Sequence, residues 1–201
     1  GKGDFLRSGD LNSLEFSLQT TDSFSVSSKF RITKLNGPQY IFGKFYSAGW
    51  FVSYNTNGPG YISFHIGDST RNVFYLGQDS SWHEYRIKFS KSNEKLFMYV
   101  DESLIYTYNN FTYTDLANTS AFSVGNAGLI NTYGPGSVNT NTGWFGGEMD
   151  YLNITVNGTS AVNYNFNEFA GQVARDSASY FYSDRTYPGS STCGLSHLML
   201  G

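Results

Sequence analysis

Two carboxylates separated by one residue, Glu148 and Asp150, are the side chains of this sequence best suited to acid–base chemistry. Alternate residues of a β-strand project from the same face, so the pair would share a face that Leu152, Ile154 and Val156 continue. Cleavage of a glycosidic bond needs two such carboxyl groups, one of which must donate a proton. Because the residues that continue this face are apolar, the pair is predicted to lie at the rim of the strand, before the core begins. There the two carboxylates would have a structural role or bind a metal.

Other catalytic arrangements are thinly represented. The histidines at positions 65, 83 and 197 lack the spacing of metal ligands, and the sequence has no nucleophile elbow or phosphate-binding glycine loop. Cys193 has His197 four positions further on, but no rigid element is predicted there to hold a nucleophile and its base together. The residue types therefore predict a protein that is not an enzyme.

A second group of residues is suited to binding. Folding Gly49–Tyr54 back on Tyr61–Ile66 predicts a hairpin in which Trp50 lies opposite His65. One face then carries aromatic rings beside hydroxyl and imidazole groups, which can pack on the C–H groups of a sugar and bind its oxygens. The alternative is that Trp50 and its neighbours are covered by a loop or by another sheet. The face consists of Trp50, Val52, Tyr54, Tyr61, Ser63 and His65.

A long polar insertion, 126–143, is eighteen residues long and rich in Gly and Asn. Loops of that length are uncommon and are often functional. Amide side chains suit ligand hydroxyls because each offers a donor and an acceptor, although Asn also suits a loop that needs left-handed residues. The loop and its end add four residues to the candidate carbohydrate-binding set: Tyr133, Asn139, Asn141 and Trp144.

Strands must position these residues. Apolar and polar residues alternate along Phe24–Ile32, His83–Ser90 and Glu148–Val156, which is typical of strands with one buried face. No amphipathic crossover helix is visible between the runs, so parallel sheets are disfavoured. The sequence predicts an all-β fold, an antiparallel two-sheet sandwich of about ten to fourteen strands. Trp82 and Tyr85 are expected in its core.

The composition excludes several classes of protein. The chain has 201 residues, a net charge of -3, 18% aromatic residues and only 14% charged residues. Its polar surface must come from 18 Asn and from 42 Ser and Thr. With 13 basic against 16 acidic residues, there is no excess positive charge for nucleic acid. An uncharged partner is favoured.

Cysteine content, hydropathy and the start of the chain bear on disulfides, membrane insertion and domain organisation. Cys193 is alone and cannot form an intrachain disulfide, and no apolar run is long enough for membrane insertion. The chain begins without Met and without a leader sequence, which suggests one module of a longer protein. We expect a single domain over residues 1–182, followed by an irregular tail or linker over residues 183–201.

Seven short motifs follow one another between residues 14 and 170: Phe24-Ser25-Val26, Ile41-Phe42-Gly43-Lys44, Gly49-Trp50-Phe51-Val52, Ser81-Trp82-His83-Glu84-Tyr85-Arg86-Ile87, Met98-Tyr99-Val100-Asp101, Ser123-Val124-Gly125 and the run 145–154. In this order they resemble the concanavalin A-like lectin/glucanase superfamily, above all its laminin-G-like and pentraxin-like members. The resemblance implies a jelly-roll sandwich of two curved sheets that binds glycans or proteins.

The resemblance also bears on catalysis and on metal. Glucanases of the superfamily carry a Glu-x-Asp-x-x-Glu strand, whereas residues 148–153 end in Asn153, which cannot donate the proton. The cofactor that the resemblance implies is calcium, which carboxylate and amide oxygens bind at strand ends and in loops. The candidate ligands are Asp79, Asp101, Asn126, Asp150 and Asp176.

Together these features predict a carbohydrate-binding, lectin-like module of a larger extracellular, cell-surface or phage-virion assembly. Its partner would be a glycan or surface polysaccharide. The alternative is a structural domain that decorates or oligomerises a particle through residues 183–201, without binding sugar. The third hypothesis is a glycoside hydrolase of the glucanase type with a relocated acid.

Overall fold

The computed structural model describes residues 6–7, 14–17, 20–45, 49–56, 59–67, 69–75, 79–113, 116, 122–125 and 145–166. None of these residues belongs to a helix with the length and apolar character that crossing a membrane requires. The expected tail, 183–201, lies outside them, so the domain boundary at residue 182 stays a prediction.

The strands are β1 (Leu6–Arg7), β2 (Ser23–Ile32), β3 (Gln39–Phe45), β4 (Gly49–Tyr54), β5 (Tyr61–Ile66), β6 (Ser69–Tyr75), β7 (His83–Ser90), β8 (Lys95–Val100), β9 (Ser103–Asn109), β10 (Ser123–Val124), β11 (Gly147–Val156) and β12 (Thr159–Asn165).

In the part of the chain that the structure describes, the strands form two antiparallel sheets. The first sheet has the order β1-β10-β3-β4-β5-β6, and the second has the order β12-β11-β2-β7-β8-β9. Strands far apart in sequence are neighbours, as β2 and β11 are, so the chain passes repeatedly between the two sheets. The predicted all-β sandwich of two antiparallel sheets is confirmed.

β2 shows why these sequences form strands. Phe24, Val26 and Phe30 are at most 2% exposed. Of the residues between them, Ser28 is also buried and the others are half-buried. This period of two matches the pleat of a strand with one face on the core. The same alternation recurs in β7 and β8.

Aromatic rings join the two sheets. Phe16 stacks on Phe24 of β2 with ring centroids 4.2 Å apart, and on Trp50 of β4 with centroids 4.9 Å apart. The Trp50 indole N–H donates to the carbonyl oxygen of Leu14 over 2.8 Å, so its polar atom is satisfied inside the core. Much of the aromatic content of the chain therefore belongs to a core that needs no disulfide.

Candidate functional site

The predicted hairpin between β4 and β5 forms, but its register differs by one residue from the prediction. Trp50 pairs with Ile66, and Phe51 pairs with His65. A shift of one residue moves every side chain to the opposite face of the sheet. Trp50 and Tyr54 are fully buried in the core, so the predicted ligand-binding face that included them is wrong.

The loop between the two strands sets this register. Asn55 has a φ of 58°, and its N–H donates to the carbonyl oxygen of Tyr61 over 3.0 Å. Its side-chain Oδ1 accepts a hydrogen bond from the N–H of Gly60. Asn tolerates this left-handed conformation better than most residues. Tyr54 therefore pairs with Ile62, one residue further along β5 than Tyr61.

Three residues of the predicted face, Tyr61, Ser63 and His65, do share the face that points away from the second sheet. The His65 ring stacks on Phe51 with centroids 4.0 Å apart. Its Nε2 lies 2.9 Å from Ser53 Oγ and 3.2 Å from Thr56 Oγ1. Burial lowers the pKa of His65 to about 4, so the ring is neutral at pH 7. His65 is thus held by side chains of its own hairpin.

The other predicted carbohydrate-binding residues lie outside the described residues. So do the calcium candidates Asn126 and Asp176 and the Cys193 and His197 pair. Their roles stay predictions from the sequence. The carbohydrate-binding candidates in this group are Tyr133, Asn139, Asn141 and Trp144.

Asp79 and Asp101, two of the predicted calcium ligands, lie on either side of His83. The imidazole Nδ1 is 2.7 Å from Asp101 Oδ2, and Nε2 is 3.0 Å from Asp79 Oδ2. The backbone N–H groups of Ser81 and Glu84 donate to the other carboxylate oxygens. Partial burial lowers the pKa of His83, but the hydrogen bonds to Asp101 and Asp79 outweigh it and leave that pKa raised. The two carboxylates therefore clamp an imidazole.

A third predicted ligand, Asp150, lies 3.3 Å from the ammonium group of Lys29. Calcium takes about six to eight oxygen ligands. Within the described ranges, no group of three or more His, Cys, Asp or Glu side chains is arranged to hold a metal. The described carboxylates do not form a calcium site by themselves, and calcium binding by the full set stays a prediction.

A bulge in β11 changes the expected placement of Glu148 and Asp150. The register between β11 and β2 shifts between Met149 and Tyr151, which indicates a bulge at Asp150. Met149 packs against the core, as Leu152 does three positions later. Glu148 therefore lies on the outer face of the second sheet. The prediction that Glu148 and Asp150 share the face continued by Leu152 is wrong.

Glycines bring the start of β11 close to β2. A Cβ atom on Gly147 would lie 2.1 Å from the carbonyl oxygen of Arg31, so no larger residue fits without a shift. The Gly146 carbonyl accepts a hydrogen bond from the N–H of Thr33 over 2.8 Å. This close approach places Glu148 directly opposite Arg31.

Arg31 joins a carboxylate to an aromatic ring. Its Nη2 lies 2.8 Å from Oε1 and 3.0 Å from Oε2 of Glu148, and its guanidinium carbon is 5.2 Å from the centroid of the Trp82 ring. Trp82 is 37% exposed, so its expected place in the core is wrong. It precedes the first residue of β7, outside the alternation that buries Tyr85 as predicted.

Trp82 and Glu148 line a cleft of about 620 Å³, and Arg31 lies beside it in contact with both. A volume of this size is within the range of small-molecule sites. Exposed ion pairs contribute at most about 1 kcal/mol to folding, so the two pairs beside the cleft mainly hold their side chains in place. The described residues that line the cleft are Lys29, Trp82, Glu148, Met149, Asp150 and Phe166.

Sequence reasoning missed the basic side of this cleft. Lys29 and Arg31 are polar members of the β2 alternation and, from the sequence, resemble any solvated strand face. A signal was present, because the outward residues of β2 change from serines to these two cations toward the end that pairs with Glu148. Using that signal requires the pairing of β2 with β11, which is more than 100 residues away in sequence.

No family model and no curated protein sequence matches the chain, but solved structures do. A candidate carbohydrate-binding protein from Bacteroides ovatus matches with a TM-score of 0.60 at 13% identity, over 86% of this chain and 52% of that one. This chain thus spans about half the length of that protein. Domains LG4-5 of the mouse laminin alpha1 chain match with a TM-score of 0.50 at 18% identity, over 80% of this chain and 40% of that one.

The CBM40 module of the Ruminococcus gnavus IT-sialidase, bound to alpha2,3 sialyllactose, matches with a TM-score of 0.50 at 12% identity, over 76% of this chain and 87% of that one. Identities this low show the fold and not the ligand. The chain has the concanavalin A-like jelly-roll fold that its motifs predict.

Proposed function

We propose that this chain is a carbohydrate-binding, lectin-like module and that the cleft beside Trp82 is its glycan site. The observation that carries the proposal is the exposed Trp82 indole beside the Arg31–Glu148 ion pair. An aromatic ring packs on the C–H face of a sugar, while charged side chains make strong hydrogen bonds to its hydroxyl groups.

The charge of the cleft favours a neutral glycan. Arg31 and Lys29 each lie within 3.3 Å of a carboxylate oxygen, on Glu148 and Asp150. A sugar hydroxyl can donate to a carboxylate and accept from a cation, so it can join such a pair without separating it. An acidic sugar would place its charge beside Glu148 or Asp150, and like charges at short range repel.

The comparisons support a binding function at the level of the fold. The Bacteroides ovatus protein is a candidate carbohydrate-binding protein, and the Ruminococcus gnavus module is bound to a sugar. A shared fold does not transfer a ligand. The proposal therefore takes its ligand class from the cleft and does not take over sialyllactose.

Binding rather than hydrolysis fits the carboxylates of the cleft. Both oxygens of Glu148 accept hydrogen bonds from Arg31, and Asp150 is paired with Lys29. A glycosidase of this class needs one carboxyl group that holds a proton for the leaving group. Asn153, which stands at that position in the motif, has an amide group, which is too weak an acid to protonate a leaving group.

The test is binding of neutral oligosaccharides built from glucose, galactose, mannose or N-acetylglucosamine, measured by calorimetry. We expect the wild-type chain to bind at least one series and Trp82→Ala to weaken that binding about tenfold, which corresponds to ~1.4 kcal/mol. Tyr106→Ala, which removes an exposed ring on β9, is the matched control and leaves affinity unchanged. A folded chain that binds no series, or a Trp82→Ala variant with full affinity, contradicts the proposal.

A second candidate function, self-association, is favoured by β9. This strand is the last of the second sheet among the described residues, and Leu104, Ile105 and Tyr106 are 53%, 39% and 51% exposed. Its seven residues include no charged side chain of the kind that protects edge strands. A second copy of this chain, with its β9 antiparallel to the first, would extend the sheet and bring these side chains beside their counterparts on the other copy.

Light scattering separates the two candidates. Self-association predicts a dimer that the double substitution Leu104→Ser with Ile105→Ser converts to a monomer, whereas a monomeric wild-type chain excludes self-association.

For either function we place the module outside the cell, in a surface or phage-virion assembly. The support for that setting is a polar surface built from amides and hydroxyls instead of ions.

A further inference from the structure

The cleft beside Trp82 is also lined by two apolar side chains, Met149 and Phe166. Both are half-buried and pack against the core, so each presents the rest of its apolar surface to the cleft. A sugar hydroxyl placed on such a surface loses its hydrogen bonds to water and gains none in return. This part of the cleft therefore favours an apolar group of the ligand.

These two side chains lie on either side of Asp150. Met149 precedes Asp150 in β11, and the Phe166 N–H donates to the Asp150 carbonyl oxygen over 2.9 Å. The Phe166 ring also packs near the buried ring of Tyr164, with centroids 6.0 Å apart. A backbone hydrogen bond and a buried neighbour thus hold Phe166 in place, so the apolar surface beside Asp150 exists before a ligand binds.

The Lys29–Asp150 ion pair adds a hydrogen-bond donor and an acceptor at the same end of the cleft. Lys29 Nζ lies 3.3 Å from Asp150 Oδ2, and the two side chains are 43% and 24% exposed, so a ligand can reach both. An ammonium group has three donors, and a carboxylate accepts several hydrogen bonds. The pair can therefore bind a ligand group that has both an N–H and a carbonyl oxygen without separating.

An acetamido group combines the three features that this end of the cleft favours. Its N–H donates a hydrogen bond, its carbonyl oxygen accepts one, and its methyl group is apolar. The N–H would donate to Asp150, the carbonyl oxygen would accept from Lys29, and the methyl group would lie on Met149 and Phe166. A hydroxyl group could make the two hydrogen bonds but would leave the apolar surface uncovered.

The spacing of the two ion pairs fits a single sugar unit. Lys29 and Arg31 are two residues apart on β2, about 7 Å at the strand rise of ~3.3 Å per residue. Arg31 contacts Trp82, so the ring of a sugar that packs on Trp82 lies at the Arg31 end of the cleft. A substituent on that ring then extends toward Lys29 and Asp150.

We propose that the cleft selects a 2-acetamido-2-deoxyhexose unit over the parent hexose, which has a hydroxyl group in place of the acetamido group. Lys29 and Asp150 bind the amide, while Met149 and Phe166 cover its methyl group. This inference rests on the proposed function of the cleft, and it names the residues that determine which neutral sugar binds.

The test compares sugars that differ in one substituent. Calorimetry with the whole chain uses the methyl glycosides of glucose, galactose and mannose and the 2-acetamido counterpart of each. We expect the acetamido form of the preferred sugar to bind about tenfold more tightly, the ratio that one covered methyl group and one hydrogen bond supply together. Equal affinities within every pair, or binding confined to oligosaccharides without acetamido groups, overturn this inference but leave the glycan-binding cleft intact. Absence of binding to any neutral sugar overturns both.

Two further ligands separate the methyl group from the amide. The N-formyl analogue keeps the amide and lacks the methyl group, so its affinity should lie between those of the parent hexose and the acetamido sugar. The 6-deoxy analogue carries a methyl group without an amide, and we expect it to bind no more tightly than the parent hexose. A 6-deoxy sugar that binds as tightly as the acetamido sugar overturns the assignment of the amide to Lys29 and Asp150.

Variants at Phe166 locate the preference, which is measured as the ratio of the two affinities, acetamido sugar to parent hexose. Phe166→Ala should lower this ratio about threefold, because the methyl group loses its apolar contact. Phe166→Leu keeps an apolar side chain and most of the ratio. Tyr108→Ala is the matched control, because it removes a half-buried ring that packs against the core on β9, and it keeps the wild-type ratio. Lys29→Met removes the donor to the carbonyl oxygen and lowers the same ratio. A wild-type ratio in Phe166→Ala, or in Lys29→Met if Phe166→Ala does not fold, overturns the proposal.

Discussion

His65 and Phe51 stack face to face across the β4–β5 hairpin, with ring centroids 4.0 Å apart and ring planes 14° from parallel. This packing keeps the imidazole partly away from water, and burial lowers its pKa to about 4. In the unfolded chain the same group has an ordinary pKa near 6.5. Between these two values the unfolded chain binds a proton that the folded chain does not, so folding stability depends on pH.

The first prediction concerns this pH dependence. The contribution of His65 to the free energy of unfolding is fully present above about pH 6.5 and is lost as pH falls toward 4, by up to about 3 kcal/mol. Urea unfolding at pH 7.5 and pH 5 measures it. His65→Gln should reduce the difference between the two pH values, and a variant that keeps the full wild-type difference contradicts the assignment.

The second prediction is that the effect of His83 on the pH dependence of stability is opposite to that of His65. Asp101 and Asp79 keep its pKa above the ordinary value despite partial burial, so the folded chain holds this proton more tightly than the unfolded chain does. Its stabilising contribution is present below about pH 6.5 and is lost as pH rises through the raised pKa. An NMR titration should give imidazole midpoints on opposite sides of 6.5 for His83 and His65. A His83 midpoint below 6.5 is incompatible with the clamp.

The third prediction concerns Asn157, which ties the β11–β12 turn to the start of β2. Its Oδ1 accepts from the N–H groups of Asp22 and Ser23 at 2.8 and 3.1 Å, and its Nδ2 donates to the Thr20 carbonyl oxygen at 2.7 Å. Its φ is 50°. Asn157→Ala should destabilise the chain by about 1–2 kcal/mol because these bonds are lost, measured by urea unfolding.

Two further substitutions at Asn157 separate its bonds from its backbone conformation. Asn157→Asp keeps the acceptor and loses the donor, so its stability should lie between those of the wild type and Asn157→Ala. Asn157→Gly relieves the left-handed backbone but makes none of the bonds. Because this relief offsets part of the loss, the stability of Asn157→Gly should lie between those of Asn157→Ala and the wild type. A variant more stable than the wild type would mean that the hydrogen bonds contribute less than the backbone relief.

The fourth prediction concerns the close approach of β11 to β2. In Gly147→Ala the new Cβ would lie 2.1 Å from the Arg31 carbonyl oxygen and 2.6 Å from the Phe145 ring, so the strands must separate. We expect a loss of about 1–3 kcal/mol in unfolding free energy and weaker glycan binding, because Glu148 moves away from Arg31.

Gly158→Ala is the matched control for this substitution. Nothing lies within 4 Å of the added Cβ there, and the only cost is a φ of 78°, about 1 kcal/mol. Its glycan affinity should equal that of the wild type. Equal effects of the two substitutions on affinity would exclude a positioning role for Gly147.

The fold was predictable because most strands bury one face. β2 shows it: Phe24, Val26 and Phe30 alternate with polar residues, and the structure buries those three. β4 lacks this signal because all six of its residues are buried. With apolar residues on both faces of β4, periodicity cannot tell which side Trp50 takes, and the predicted hairpin register was one residue off.

The cleft was less predictable for a different reason. It depends on a bulge at Asp150, on the pairing of β2 with β11, and on the position of Trp82 just before a strand. A bulge has no periodic signal of its own, and one extra residue reverses the side from which Glu148 projects. Ser25, Ser27, Lys29 and Arg31 form one row along β2, and only the folded register gives that row its neighbours.

The most direct test of the glycan site compares the indole N–H signals of Trp82 and Trp50 in NMR spectra during titration with neutral hexasaccharides. Trp50 donates to the Leu14 carbonyl oxygen inside the core, whereas Trp82 is exposed at the cleft. Substitution of each residue by Phe assigns the signals. We predict that the Trp82 signal shifts in proportion to bound sugar while the Trp50 signal stays in place. A shift at Trp50 with Trp82 unchanged, or no shift of either signal with any hexasaccharide, would contradict the account.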